Sequence, residues 1–254
     1  MEVKKDSLGE VLQQLLSGAA AFFEQIKKID WQQVAASFNA AVKRRIEDAR
    51  TLSERGWTIP GWMTLSQIEV ALLLNENELD EYFTALYCLE EYKVLNRSFA
   101  SLKKSPGMAT WYSMLEEIRL NLVEGHHLIA VPALLTVLEG FAVKQVLKPS
   151  GAGVKGTTNL AKRFAEMGRH ETDSTEAIPW VSNLAFMQNL FAFSDFSGDA
   201  PKLLNRHWVL HGRTECNWRL ADALRLVSAL EMLKWLEELE GEKRLAAEKE
   251  NGRQ

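Results

Sequence analysis

Arg206, His207 and His211 fall within six residues of one another in the string Leu203-Leu204-Asn205-Arg206-His207-Trp208-Val209-Leu210-His211-Gly212. Arginine carries a permanent, planar charge that suits phosphoryl oxygens. Histidine titrates near neutral pH and can take or give a proton. Together they could move a proton beside a phosphate that is gaining negative charge. A short helix would display them. Asp199-Ala200-Pro201 predicts its start, with an acidic cap and a proline in the first turn, and Gly212 predicts its end. Leu203, Leu204, Val209 and Leu210 are expected to face a core, which leaves Arg206, His207 and His211 on or near the exposed side.

Three readings of that display follow from the residues alone. In the first, Arg206 and His211 are an arginine and a proton carrier at a fixed spacing. In the second, His207 and His211 at i and i+4 are metal ligands on one helical face, with Glu139 the only obvious third ligand. In the third, the histidines are polar groups packed between helices, each satisfied by a hydrogen bond.

Glu139 is the one ionisable residue inside the most apolar long run of the chain, Leu128 to Phe141. A carboxylate among Leu134, Leu135, Leu138 and Phe141 needs a partner, because burying it alone would cost several kcal/mol or keep it protonated. Arg206 or a motif histidine is the expected partner. Pro132 is tolerable if it falls in the first turn of this helix and would kink one that started earlier.

The 254 residues, 46% hydrophobic and 25% charged, suffice for one large helical domain or a four-helix core with additional helices. Helical periodicity predicts helices over 7–28, 31–55, from near Leu79, 110–122, 128–141, 159–168, 180–193 and 217–240, and no βαβ alternation. Thr64 or Ser66 is a candidate cap for a further helix, and Asn75-Glu76-Asn77-Glu78 reads as a connection. The acids Glu78, Asp80, Glu81, Glu90 and Glu91 are expected on a solvated face, and the tail from Glu237 is expected to fray. The turn Arg55-Gly56-Trp57-Thr58-Ile59-Pro60-Gly61-Trp62 is read as pinned by its aromatics, with a base-stacking platform as the functional alternative. Ser105-Pro106-Gly107 suggests a junction between an N-terminal helical region, 1–105, and a motif-bearing bundle, 106–254, within what could be one continuous domain.

Composition narrows the partners. Cys88 and Cys216 stand alone, so neither a disulfide framework nor a zinc site is expected, as in a reducing cytoplasm. The run from Val11 to Phe23 is broken by Gln13, Gln14 and Ser17 and reads as a packed helix rather than a leader. No segment is expected to reach the roughly 18 to 20 apolar residues that span a membrane. A net charge of −4 disfavours tight, sequence-independent binding of long nucleic acid. Locally the balance reverses: six cations face one acid over 141–169, and four face one over 202–219. If these segments meet they form a basic patch around the motif, in which Lys155, Lys202 and Arg213 are candidate RNA contacts. Gly151, Gly153 and Gly156 spell a G-x-G-x-x-G, but without a preceding strand it reads as a loop.

Asn205-Arg206-His207 with His211-Gly212, the Gly-Trp-Thr-Ile-Pro turn at 56–60 and the Ala-Val-Pro-Ala-Leu-Leu helix ending in Glu139-Gly140 resemble a subgroup of the HEPN superfamily, helical proteins with an Arg-x4-His motif. The resemblance implies an all-α, up-and-down bundle with additional N-terminal helices. It implies a metal-independent, cofactor-free endoribonuclease, active as a homodimer, with Arg206 and His211 catalytic and Asn205, His207 and Glu139 supporting. Many such nucleases have asparagine after the arginine where this chain has His207, which leaves the role of His207 open. A toxin or antiviral-defence effector, held by an antitoxin or regulatory protein, is the biological setting it implies. The alternative is a non-catalytic RNA- or protein-binding or dimerising module.

Overall fold

The computed structural model describes residues 27–147, 162, 164–166, 174–193 and 197–251. These residues form helices and turns, with no strand among those described, so the fold is all-α. The predicted helix over 7–28 lies almost wholly outside the described residues, as do Lys155 and the three glycines of the 149–159 loop. The chain divides into two compact units, Met1–Lys43 and Arg44–Gln254. In the first, Asp30 accepts hydrogen bonds from the Gln32 and Gln33 amides at 3.0 Å and starts helix α1 (Trp31–Glu54). Trp31, Val34 and Phe38 are exposed on α1.

The second unit is built on two long apolar helices, α5 (His127–Phe141) and α8 (Leu220–Asn251), which pack on one another. Val131, Leu134, Leu135, Val137, Leu138 and Phe141 of α5 are fully buried, as are Leu224, Leu226, Val227, Leu230, Leu233 and Leu236 of α8. Around them stand α2 (Leu65–Leu73), α3 (Glu76–Leu102), α4 (Tyr112–Val123) and α6 (Ala177–Leu190), with a 3-10 turn over Pro106–Trp111. Helix α3, on one side of Ser105-Pro106-Gly107, packs against α8 on the other. The five-residue α7 (Arg206–Leu210) rests on α5.

Several expectations are corrected. Asn75-Glu76-Asn77-Glu78 is the beginning of α3, because Asn75 caps the Asn77 and Glu78 amides while Glu78 reaches back to the Asn75 amide. Thr64 and Gln67 close the same reciprocal box at α2. Helix α3 is interrupted at Leu89–Tyr92, where Glu90, Glu91 and Tyr92 hold φ of 50°, 53° and 62°. No glycine marks that break. Helix α5 starts at His127, placing Pro132 beyond the first turn, where it denies the Leu128 carbonyl a helical donor. Leu128 is exposed, so water can serve that carbonyl. The acidic tail stays helical to Asn251 rather than fraying at Glu237. The stretch His127–Lys144 does reach 18 residues at mean hydropathy 1.5, long and apolar enough to cross a membrane by length and composition. Here 44% of it is buried, with Val131, Leu134, Leu135, Val137, Leu138 and Phe141 in the core, while Leu128 and Ile129 at its start are exposed.

The largest correction concerns Asp80, which is buried rather than solvated. Its carboxylate accepts from Trp57 Nε1 at 2.9 Å and pairs with Arg225 and Arg219. Arg225 also holds Asp222 at 2.7 Å and lies over the Trp57 ring, which stacks on Phe83 with centroids 4.2 Å apart. Trp57 is therefore a core residue, as the reading of a pinned turn expects. Buried hydroxyl pairs fix the rest of the turn: Thr58 with Ser228 at 2.6 Å, and Ser53 with Ser182 at 2.9 Å. Removing one partner of a buried ion pair leaves an uncompensated charge, so Asp80→Ala is expected to cost about 3–5 kcal/mol. Urea denaturation measures it, and a loss under ~1 kcal/mol would show that Asp222 alone suffices for Arg225.

Candidate functional site

The Gly56 turn positions the approach to α7. Gly56 has φ +88°, and a Cβ there would meet Leu203 at 3.1 Å and Arg225 at 3.2 Å. The segment leading to α7 therefore lies directly against the turn's backbone, which only glycine permits in this conformation. The predicted cap Asp199 does not serve: the chain is non-helical from Asp199 to Asn205, and α7 begins at Arg206. Asn205 is the cap. Its Oδ1 accepts from the His207 amide at 3.0 Å and the Trp208 amide at 3.3 Å, and its Nδ2 donates to the Ala192 carbonyl at 2.9 Å. A five-residue helix cannot hold itself in water. The cap, with buried Trp208 and Val209, holds it instead. Gly212, at φ +62°, ends it as expected.

Helical rotation then separates two faces. Trp208 and Val209 point into the core, whereas Arg206 and His207 are half-buried and His211 is exposed. Arg206 meets Glu139 of α5 as a fork: Nε lies 3.0 Å from Oε2 and Nη2 3.5 Å from Oε1. Both side chains are about one-fifth exposed, at 19% and 21%. Of the expected partners for Glu139, the arginine is the one that meets it. Two of the five guanidinium donors face the carboxylate, so the others can meet a phosphoryl oxygen.

His207 and His211 lie with their rings 6.1 Å apart between centroids and 7° from parallel. Burial, followed by the charges of Arg206 and His211, holds His207 below the usual histidine range, with Glu139 opposing. His207 Nε2 is buried without a hydrogen-bond partner. An imidazole placed this way is neutral at physiological pH. Glu139, the third ligand that a metal reading requires, is engaged by Arg206, and no group of three His, Cys, Asp or Glu side chains gathers for a metal among the described residues.

No family model, curated protein or solved structure matches this chain. The reading of the site therefore rests on its residues and geometry.

Sequence reasoning missed one contributor, Trp111. Its ring crosses Gly140, the residue after Glu139, so closely that a Cβ there would lie 2.7 Å from the ring. Lys144 sits over the same ring at 5.4 Å from its centroid. Gly140 in an otherwise bulky apolar helix is the signal that could have found this close approach. Of the candidate basic contacts, Lys202 and Arg213 are exposed near α7, and Lys202 lines a pocket of about 310 Å³ with Trp218 and Arg219. Arg219 is committed to Asp80.

Two measurements test this geometry. Asn205→Ala removes the cap and should cost about 1–2 kcal/mol in denaturant unfolding, with loss of amide protection at His207 and Trp208. For His207, the folded pKa lies below the unfolded value near 6.5. The unfolded chain therefore binds more protons between those values, and stability falls as pH drops through that window while levelling above it. His207→Gln, which stays neutral, should remove that part of the slope. An unchanged slope would mean that His207 titrates alike in both states.

Proposed function

We propose that this chain is a metal-independent endoribonuclease with a HEPN-type helical bundle. The observation that carries the reading is that one capped turn of helix displays a parallel histidine pair beside Arg206, whose guanidinium forks onto Glu139 of α5. Glu139 fixes the direction of the guanidinium, and its remaining donors meet the non-bridging oxygens of an RNA phosphate. His211, the exposed member of the pair, takes the proton from the ribose 2′-hydroxyl. The 2′-oxygen then bonds to phosphorus as the bond to the 5′-oxygen breaks, and a proton returns to that leaving oxygen. The products are a 2′,3′-cyclic phosphate and a 5′-hydroxyl. His207, kept neutral, places no further positive charge beside His211 as that ring takes the proton. Asn205 supports both by starting the helix, and Lys202 and Arg213 guide the RNA strand.

One copy offers few reacting groups, so a homodimer that brings two motifs to one RNA completes the proposal. A toxin or antiviral role in the cytoplasm, with an antitoxin or regulatory protein as partner, fits such an enzyme. The engagement of Arg206 by Glu139 favours one second reading, a non-catalytic module in which the same fork grips RNA or a partner without cleaving it.

The test is incubation of mixed cellular RNA with the purified protein in EDTA, followed by mass analysis of fragment ends. Cyclic phosphate ends are expected from the wild type. His211→Ala should lower the rate by about 10²–10⁴-fold with its unfolding transition unchanged, and Arg206→Ala by about 10²–10³-fold with a modest loss of stability, since it strips Glu139 of its partner. RNA binding that Arg206→Ala abolishes, without cleavage by any form, would replace the enzyme by the binding module. Cleavage restored only by a divalent cation would overturn the metal-independent mechanism.

A further inference from the structure

The pocket of about 310 Å³ beside α7 is walled by the same turn that displays Arg206 and His211. Asn205, Trp208 and Val209 line it, and at i, i+3 and i+4 they share one face of that turn. Arg206, His207 and His211 fall on the other faces. The approach to α7 supplies Lys202, and the chain that leaves α7 supplies Asn217, Trp218 and Arg219. The concavity therefore sits across one helix from the reactive groups, a width of about 10 Å. Its volume is at the lower end of small-ligand pockets, which suits a single ring system.

The charges that line it do not cancel. Arg219 is paired with Asp80. Asp222 is paired with Arg225 at 2.7 Å and accepts from the Arg219 amide at 2.8 Å. Lys202 remains, exposed and engaged by no ion pair among the described residues. One unbalanced cation selects an anion over a cation.

The walls are suited to a ring without naming it. Trp218 is half-buried and lines the pocket, so part of its indole stays open there. Buried Trp208 and Val209 add an apolar floor. An indole stacks any nucleobase, because every base has a π-face. Asn217 is exposed, and its amide both donates and accepts, so it fits more than one base edge. A base must leave its stack to reach such a concavity, which a single strand permits and a duplex does not.

We propose that this pocket takes one unstacked base of a single-stranded RNA, on Trp218, with a backbone phosphate at Lys202. The base belongs to a nucleotide a helix's width from the phosphate at Arg206, so the strand bends around α7. The site selects single strands over duplexes and tolerates any base. It rests on the reading of α7 as a turn that meets RNA, and not on cleavage.

Fluorescence anisotropy of the full chain in EDTA, with a labelled mixed-sequence strand of 2′-O-methyl RNA, tests it. That strand has no 2′-hydroxyl to attack, so binding is read whether or not the chain cleaves. The single strand is expected to bind and the same strand in a duplex to bind much more weakly. Trp218→Leu, which keeps an apolar side chain but no ring, should weaken the single strand by about tenfold to a hundredfold, and Trp218→Phe should restore most of it. Lys202→Ala, at an exposed position, should weaken all sequences alike and lower the salt slope by about one. It keeps the proposal testable if a Trp218 variant misfolds. Trp218-dependent binding without cleavage of ordinary RNA would uphold the pocket and defeat the catalytic reading. Duplex bound as tightly as single strand, no binding of either, wild-type binding by a folded Trp218→Leu chain, or an unchanged salt slope in Lys202→Ala would overturn the pocket. So would displacement of the strand by an equal concentration of uridine 5′-monophosphate, which would place a free nucleotide there instead.

Discussion

A carboxylate near the end of the most apolar helix is the constraint to which the site answers. Glu139 follows Leu134, Leu135, Val137 and Leu138, all fully buried, and α5 cannot move outward to solvate it without exposing them. A cation must come to the carboxylate instead. Arg206 does so from a helix too short to stand alone, and the fork of two contacts ties α7 to α5 in orientation as well as in distance. Both partners keep about a fifth of their surface in water, so the pair is screened and its contribution to stability is modest. Its larger effect is directional: it decides where the unused guanidinium donors point.

The same economy of ionic contacts recurs at the Trp57 turn. Asp80 gathers the Trp57 indole N–H, Arg225 and Arg219, and thereby joins the 56–60 turn to α3 and α8. Gly56 then lies under Leu203, three residues before Arg206. The two ionic centres are thus coupled by packing. Asp80 sets the turn, the turn supports the approach to α7, and α7 delivers Arg206 to Glu139. A disturbance at Asp80 would reach the site through Leu203 rather than through charge.

The sequence made some of this readable and hid the rest for physical reasons. Apolar residues at helical spacing revealed the helices of the core, because burial imposes that period. Glu139 was readable because a lone acid in an apolar run demands a partner, and Arg206 was one of the groups expected to meet it. Asp80 was not, because it stands among Glu78 and Glu81, and neighbouring acids look like a solvated face. Its place beside buried Leu79, one turn before Phe83, was the available clue. The interruption at Glu90–Tyr92 had no signal, since residues with side chains rarely adopt positive φ. The start of α7 was misread because Asp199 and Pro201 form a strong local cap signal, whereas Asn205 is held by the Ala192 carbonyl, a contact that only the tertiary fold supplies.

The histidine pair shows how one short turn places two imidazoles in different environments. Parallel rings 6.1 Å apart cannot both take a proton without mutual repulsion, and Arg206 adds to that cost on the His207 side. The asymmetry of burial resolves the competition. His207 loses solvation and stays neutral, while His211 keeps its contact with water. Different environments are how a site can set identical side chains apart. Here the assignment follows from helix rotation: at i and i+4 the two rings are stacked along the helix axis, but only the later one extends past the end of α7, where Gly212 turns the chain away.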